Sequence, residues 1–138
     1  MVRARTTIST ELFSGGIDLE NLPQVIINGK CTNVYPHQRI RVNTIWEVVH
    51  GAGMQTAYAD KHPAYDIVRG PSCKGLSVGY LPEIAAVGPS VEENIAYDQY
   101  HVNAFLDWVD GTTPDNSEVQ EKLTGTPILF GGNSRAYL

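Results

Sequence analysis

The segment from Ser90 to Gly111 constrains the fold of this chain most strongly, because it carries a long and regular helical pattern. Ser90 is followed three residues later by Glu93, which is the signature of a capping box at the start of a helix. Apolar residues then recur near helical spacing as far as Gly111, namely Val91, Ile95, Val102, Phe105, Leu106 and Val109. The pattern predicts a helix from Val91 to about Val109 with an apolar face that must pack against another element.

Two short runs on either side of this helix have the character of buried strands. Gln55–Ala59 alternates weakly between polar and apolar residues, and Pro127–Phe130 is an apolar run that ends at Gly131-Gly132. A strand, a crossover that contains helices and a second strand make a parallel βαβ-type unit, whose crossover is almost always right-handed. The sequence therefore predicts an α/β fold.

Two shorter helices are predicted upstream. Asn43 is a suitable N-cap for a helix over Thr44–His50, which the following glycines stop. Pro63 is tolerated at the first helical position and could open about two turns over Ala64–Arg69.

The remaining segments are predicted to be irregular. Residues 1–39 show no sustained period and form a covering segment with a short ribbon around Val25–Ile27, while residues 40–138 form the core of a single partial domain. Glycine or proline recurs every few residues over Ser72–Pro89, which predicts a surface excursion. Ser117–Leu123 is compatible with a further short helix.

Charge and hydropathy exclude several classes of partner. A formal net charge of −5 argues against general affinity for nucleic-acid polymers or anionic membranes. The basic start, with Arg3 and Arg5, is not followed by the apolar run of a secretory signal, and nothing approaches the roughly 18 apolar residues of a membrane span. We expect the chain to be soluble, and the sequence leaves its cellular compartment undetermined.

The two cysteines, Cys31 and Cys73, lack the close spacing of a zinc knuckle or of a redox motif. They could form a disulfide in an oxidising compartment, but two independent thiols are the preferred interpretation. The dispersed His37, His50 and His101 are not predicted to be metal ligands. Ser72 lacks the flanking glycines of a nucleophile elbow and is expected in a turn.

The candidate site lies where the two strands end. Asp60-Lys61-His62 directly follows the first strand, and Asn133 follows the second. Ligands of open α/β sheets bind outside the carboxyl ends of the strands, so these polar side chains are candidates for substrate binding. The alternatives are that Asp60 caps the helix at Pro63, that Lys61 is solvated, and that Asn133 forms a turn beside Gly131-Gly132.

Several blocks of the chain follow one another in the order and spacing of a known family. They are Val34-Tyr35-Pro36-His37, Arg41-Val42-Asn43-Thr44-Ile45-Trp46-Glu47, Asp60-Lys61-His62-Pro63-Ala64-Tyr65, Gly70-Pro71-Ser72, and Gly125-Thr126-Pro127-Ile128-Leu129-Phe130-Gly131 with Asn133. With these blocks the chain resembles, from about Gly16 to its end, the type I phosphodiesterase/nucleotide pyrophosphatase group of the alkaline phosphatase superfamily.

This resemblance implies part of an alkaline-phosphatase-like fold and a place in the substrate cleft. In the complete family enzyme two divalent metals, typically zinc, orient a phosphate ester or nucleotide for attack by threonine or serine. By resemblance, Asp60, Lys61 and His62 line the substrate side of the sheet. Lys61 would meet a phosphate oxygen, and His62 would form a hydrogen bond near the leaving group.

The family's nucleophile and metal ligands match no residue of this chain, because they lie upstream and downstream of the matching segment. The resemblance therefore implies an internal segment that binds no metal by itself and has little or no activity without a complementing chain. Family members are often secreted. The alternative is a non-catalytic binding or interaction module derived from the same fold.

Overall fold

The computed structural model describes residues 22–60, 63–82 and 90–133. Its strands are β1 (Gln24–Ile27), β2 (Lys30–Asn33), β3 (Thr56–Ala59), β4 (Val78–Tyr80), β5 (Glu118–Val119) and β6 (Leu129–Gly132). Its α-helices are α1 (Ile45–Gly51) and α2 (Val91–Val109), and 3₁₀-helices cover Pro36–Arg39 and Pro63–Arg69. None of the helices in these three ranges is long and apolar enough to cross a membrane.

The main sheet has β3 at its centre. Its strand order is β5-β4-β3-β6 among the described residues, with β4 and β6 both parallel to β3 and β5 antiparallel to β4. Ala57 pairs with Val78 on one side and with Phe130 on the other, and its side chain is fully buried. The prediction of an α/β fold with parallel strands is confirmed, although the last strand begins two residues later than Pro127.

Helix α2 has the predicted bounds and the predicted capping box. The Ser90 Oγ accepts a hydrogen bond of 3.1 Å from the backbone N–H of Glu93, and the Ser90 N–H donates 3.2 Å to the Glu93 carboxylate. The helix covers the sheet with a buried face that includes Ala104 and Trp108. Trp108 is fully buried and packs with Phe130 of β6. The core therefore lies between α2 and strands β3, β4 and β6.

Two of the predictions for irregular or helical segments are wrong. The stretch predicted as a surface excursion contains β4, whose Val78 and Gly79 are buried between β3 and β5. Ser117–Leu123 forms no helix, because Glu118 and Val119 pair with β4 as a short strand. Strand β4 has three residues and strand β5 has two, which is too few to carry a periodic signal in the sequence. Only pairing with a neighbouring strand defines these two elements.

Smaller differences concern the helix starts and the covering segment. The N-cap of α1 is Thr44 rather than Asn43, because the Thr44 hydroxyl accepts from the Glu47 N–H at 3.2 Å. The segment at Pro63 is a 3₁₀-helix instead of two α-helical turns. The predicted ribbon is confirmed as the β1–β2 hairpin, which turns at Asn28-Gly29 with positive φ at both residues.

Candidate functional site

The ends of the parallel strands bring two predicted site residues to neighbouring positions. Ala59 pairs with Gly132, so Asp60 and Asn133 are the next residues in register beyond β3 and β6. The Asn133 N–H donates 3.3 Å to the Ala59 carbonyl, and the Asp60 N–H donates 3.1 Å to the Tyr80 carbonyl. Lys61 and His62, which complete the predicted set, lie outside the described residues.

Asp60 is held rigidly at this edge. Its side chain is fully buried and accepts a hydrogen bond of 2.8 Å from the Tyr58 hydroxyl, which lies on the same face of β3 because strand side chains alternate. The Tyr58 ring meets Trp46 of α1 edge to face at 5.2 Å, and the Trp46 indole N–H donates to the Ala57 carbonyl. Asp60 is therefore positioned by the core of the fold.

Asn133 differs from Asp60 in its exposure. Its backbone is tied to β3, but its side chain is exposed to solvent at the sheet edge. An exposed amide on a fixed backbone can donate a hydrogen bond to an anionic ligand at the strand ends.

The pKa of Tyr58 is raised, first by burial of the hydroxyl and then by its hydrogen bond to Asp60 and the negative charge of that carboxylate. We expect the Tyr58 phenol to lose its proton well above the ordinary value of about 10. Since the folded-state pKa is the higher one, the stability that this hydroxyl contributes is present below about pH 10 and is lost as the pH rises through the raised pKa.

The measurement is a phenolate absorbance titration of the wild-type chain, from which the titration of the Tyr58→Phe variant is subtracted. In the Asp60→Asn variant the pKa of Tyr58 should fall, because the negative charge is removed. It should remain above the ordinary value, because the Tyr58 hydroxyl is still buried. If the difference titration gave Tyr58 the ordinary pKa of tyrosine in the wild-type chain, the result would contradict the Tyr58–Asp60 contact.

A second candidate region is an open groove of about 710 Å³ near the β5 edge of the sheet. A charged cluster lies along it. The Arg69 Nε is 2.5 Å from the Asp66 carboxylate, Asp66 also contacts the His37 Nδ1, and Arg69 contacts Glu118. The cluster joins both 3₁₀-helices to β5, which is a structural role.

The thiol of Cys73 also lines this groove, at a residue whose φ of 62° lies in the left-handed region. Burial raises the pKa of this thiol, and the negative charge of Asp66 raises it further. The thiolate is the reactive form of cysteine, so this environment does not activate Cys73 as a nucleophile. The sequence did not reveal the groove, because its residues come from segments that are far apart in the chain.

The three described histidines, His37, His50 and His101, are dispersed in the structure as in the sequence. His50 Nε2 lies 3.2 Å from the Glu121 carboxylate, whose pKa is lowered chiefly by the hydrogen bond that the Ser77 hydroxyl donates at 2.5 Å. His101 is buried and meets Tyr97 edge to face at 5.0 Å. In the described ranges no group of three or more His, Cys, Asp or Glu side chains is arranged to hold a metal ion.

The two cysteines, Cys31 and Cys73, are both free and exposed in the structure. Ser72 lies in a turn, as expected, and its N–H donates 2.8 Å to the Glu47 carboxylate. Gly70 is required at this place, because an added Cβ would lie 2.1 Å from that carboxylate and its φ is +70°. Two of the sequence blocks, around Glu47 and around Gly70-Pro71-Ser72, thus pack against each other.

Comparison of the chain with protein families, with curated proteins and with solved structures found no match. The function is therefore inferred from the residues themselves and from the geometry of the strand ends.

Proposed function

We propose that this chain is an internal segment of a metal-dependent phosphodiesterase/nucleotide pyrophosphatase-like hydrolase, in which it forms part of the central sheet and one wall of the substrate cleft. The observation that carries the proposal is the placement of Asp60 and Asn133 at neighbouring ends of parallel strands. Lys61 and His62 follow Asp60 directly, in the block that resembles the family. Ligands of α/β sheets bind at this kind of edge.

The residue types at this edge suit a phosphate ester. The Lys61 ammonium is a compact positive charge with three donors, and the exposed Asn133 amide supplies a neutral donor. Asp60 has a different role, because a buried carboxylate that already accepts from Tyr58 would repel a phosphate oxygen. We assign to Asp60 the positioning of the residues that follow it.

The described residues do not fit the bimetallic centre that the family resemblance implies. Zinc takes four nitrogen, sulfur or oxygen ligands in structural sites and three protein ligands in catalytic ones. The strand ends offer one buried carboxylate, Asp60, and one amide, Asn133. In this proposal the nucleophile and the metal ligands belong to polypeptide other than these residues, so the chain alone is expected to bind a phosphate ester without hydrolysing it.

The test measures binding and turnover separately. The chain is titrated with adenosine 5′-monophosphate by calorimetry, and Lys61→Ala should weaken binding about tenfold, since a hydrogen bond to a charged group contributes about 1.5 kcal/mol or more. Lys122→Ala is the matched control and should leave binding unchanged, because the Lys122 carbonyl accepts 2.8 Å from Gln55 at the start of β3, opposite to the end where Asp60 lies. With zinc and bis-p-nitrophenyl phosphate, no metal-dependent release of nitrophenolate is expected.

Two results would contradict the proposal. Equal affinities of the wild type, Lys61→Ala and Lys122→Ala for adenosine 5′-monophosphate would contradict the proposal that Lys61 lines the substrate cleft. Robust zinc-dependent turnover by the chain alone would show that the catalytic groups are present within it. Lys61-dependent nucleotide binding that persists when every added polypeptide or metal fails to restore turnover would favour the non-catalytic binding module instead.

A further inference from the structure

Helix α2 carries an apolar stripe on its solvent side, in addition to the face that it buries. Side chains of the stripe are between 44% and 64% exposed, and they belong to Val91, Ile95, Val102, Leu106 and Val109. At 3.6 residues per turn these five positions fall within about 60° of one another around the helix axis. Ordinary surfaces carry scattered apolar residues, whereas this stripe follows one side of a helix that is roughly 28 Å long, with the polar Gln99 between Ile95 and Val102.

The stripe lies beside strand β6. Phe105 sits between the buried face and the stripe around the helix, and its ring packs against Phe130 of β6 at 6.3 Å. The Thr126 hydroxyl donates 2.7 Å to the Val109 carbonyl, which brings the following segment to the end of the helix. Ile128, which follows this segment, is 68% exposed as well.

The charges around the stripe have one sign. Residues 91–110 contain five acidic side chains and no lysine or arginine, namely Glu92, Glu93, Asp98, Asp107 and Asp110. Glu92 and Asp110 are exposed and border the stripe on its solvent side. A surface that is apolar along its centre and acidic at its rim complements a partner that is apolar with basic flanks.

We propose that this stripe is the docking surface for a basic amphipathic helix of a partner protein, which packs alongside α2. The spacing supports a helical occupant, because Ile95, Val102 and Val109 are seven residues apart and form the kind of ridge against which a second helix packs. Lysine or arginine residues that flank the apolar face of the partner would meet Glu92 and Asp110.

The same charges disfavour two other occupants. In a second copy of this chain packed stripe against stripe, the acidic rims would meet, and like charges in an interface are repulsive. An anionic lipid surface would be repelled by a helix without an exposed lysine or arginine. The proposal does not depend on the phosphodiesterase assignment, because it involves neither Lys61 nor the strand ends.

The experiment uses a fluorescein-labelled synthetic helix of about 18 residues, built from leucine and lysine with the leucines on one face. Fluorescence anisotropy with the full chain should show saturable binding. The variant Ile95→Ser/Val102→Ser/Leu106→Ser should bind at least tenfold more weakly, because three apolar contacts are lost. Glu92→Gln/Asp110→Asn should weaken binding a few-fold and reduce its salt dependence.

Matched controls distinguish binding at the stripe from non-specific binding of the peptide. Gln24→Ser/Asn33→Ser changes a polar pair on the β1–β2 hairpin instead of on α2, which forms its own 2.9 Å hydrogen bond, and should leave binding unchanged. Circular dichroism must show that the stripe variant keeps its helices. Equal binding of a leucine–lysine peptide of scrambled order, or stripe-dependent dimerisation of the chain in sedimentation, would overturn the proposal.

Discussion

Replacing Arg69 by alanine is expected to lower the free energy of unfolding by about 3 kcal/mol, because the change leaves the largely buried Asp66 carboxylate without its arginine partner. The Arg69 side chain is 7% exposed and the Asp66 side chain 16%, with 2.5 Å between the Arg69 Nε and the Asp66 carboxylate. The guanidinium packs on Gly79 of β4, where an added Cβ would lie 2.7 Å from the Arg69 Nη2. Asp66 retains its contact with His37, so the cost falls at the lower end of the range for a broken buried pair.

Urea-induced unfolding of the two proteins measures this difference through the midpoint and the slope of the transition. Glu118→Gln is the matched control at the other end of the same guanidinium. The Glu118 side chain is 58% exposed, so its ion pair is screened by water and its loss should cost less than about 1 kcal/mol. Similar small shifts for Arg69→Ala and Glu118→Gln would show that the Asp66 pair is solvated in solution.

Replacing Gly132 by alanine should destabilise the fold by about 2–3 kcal/mol, because the new Cβ has no room beside β3. It would lie 2.2 Å from the carbonyl oxygen of Ala59 and 2.8 Å from the Phe105 ring. The ring can shift, but the carbonyl belongs to the central strand, so β6 must separate from β3 at this point. The hydrogen bond from the Asn133 N–H to the same carbonyl would be lost with it.

Gly131 provides the control within the same strand, since nothing lies within 4 Å of a Cβ added there. Gly131→Ala should change the free energy of unfolding by no more than about 0.5 kcal/mol. If the Asn133 amide contributes to the cleft, Gly132→Ala should also weaken binding of adenosine 5′-monophosphate under conditions in which the variant is still folded. Equal stability of the two alanine variants would contradict the close approach of β6 to β3.

The elements that the sequence predicted well have strong local signals. Helix α2 was predicted with both ends, because Ser90 and Glu93 form a capping box and the apolar residues repeat over about five turns. The β1–β2 ribbon was predicted around Val25–Ile27, and the structure shows that it turns at Asn28-Gly29, where few residue types can replace these two. Strand β4 was missed, since three residues among glycines and prolines carry no period of their own.

The candidate site likewise has features that the sequence predicted and features that only the structure shows. The order of polar residues after strands predicted Asp60 and Asn133 as site residues, and the parallel register of β3 and β6 places them at neighbouring strand ends. The sequence did not indicate that Tyr58 would hold the Asp60 carboxylate in the core. It also did not indicate that Arg69 and Glu118, which are far apart in the chain, would lie in one charged cluster beside a groove.

The sequence by itself therefore determined the α/β class, the ends of the long helix and the polar residues at the strand ends, because capping, turn chemistry and periodicity act over a few neighbouring residues. Only the tertiary structure decided which strands pair, that Arg69 is buried against Gly79, and that the apolar stripe of α2 stays exposed beside β6. These features depend on contacts between distant segments, whose free energy is gained only when the chain folds as a whole.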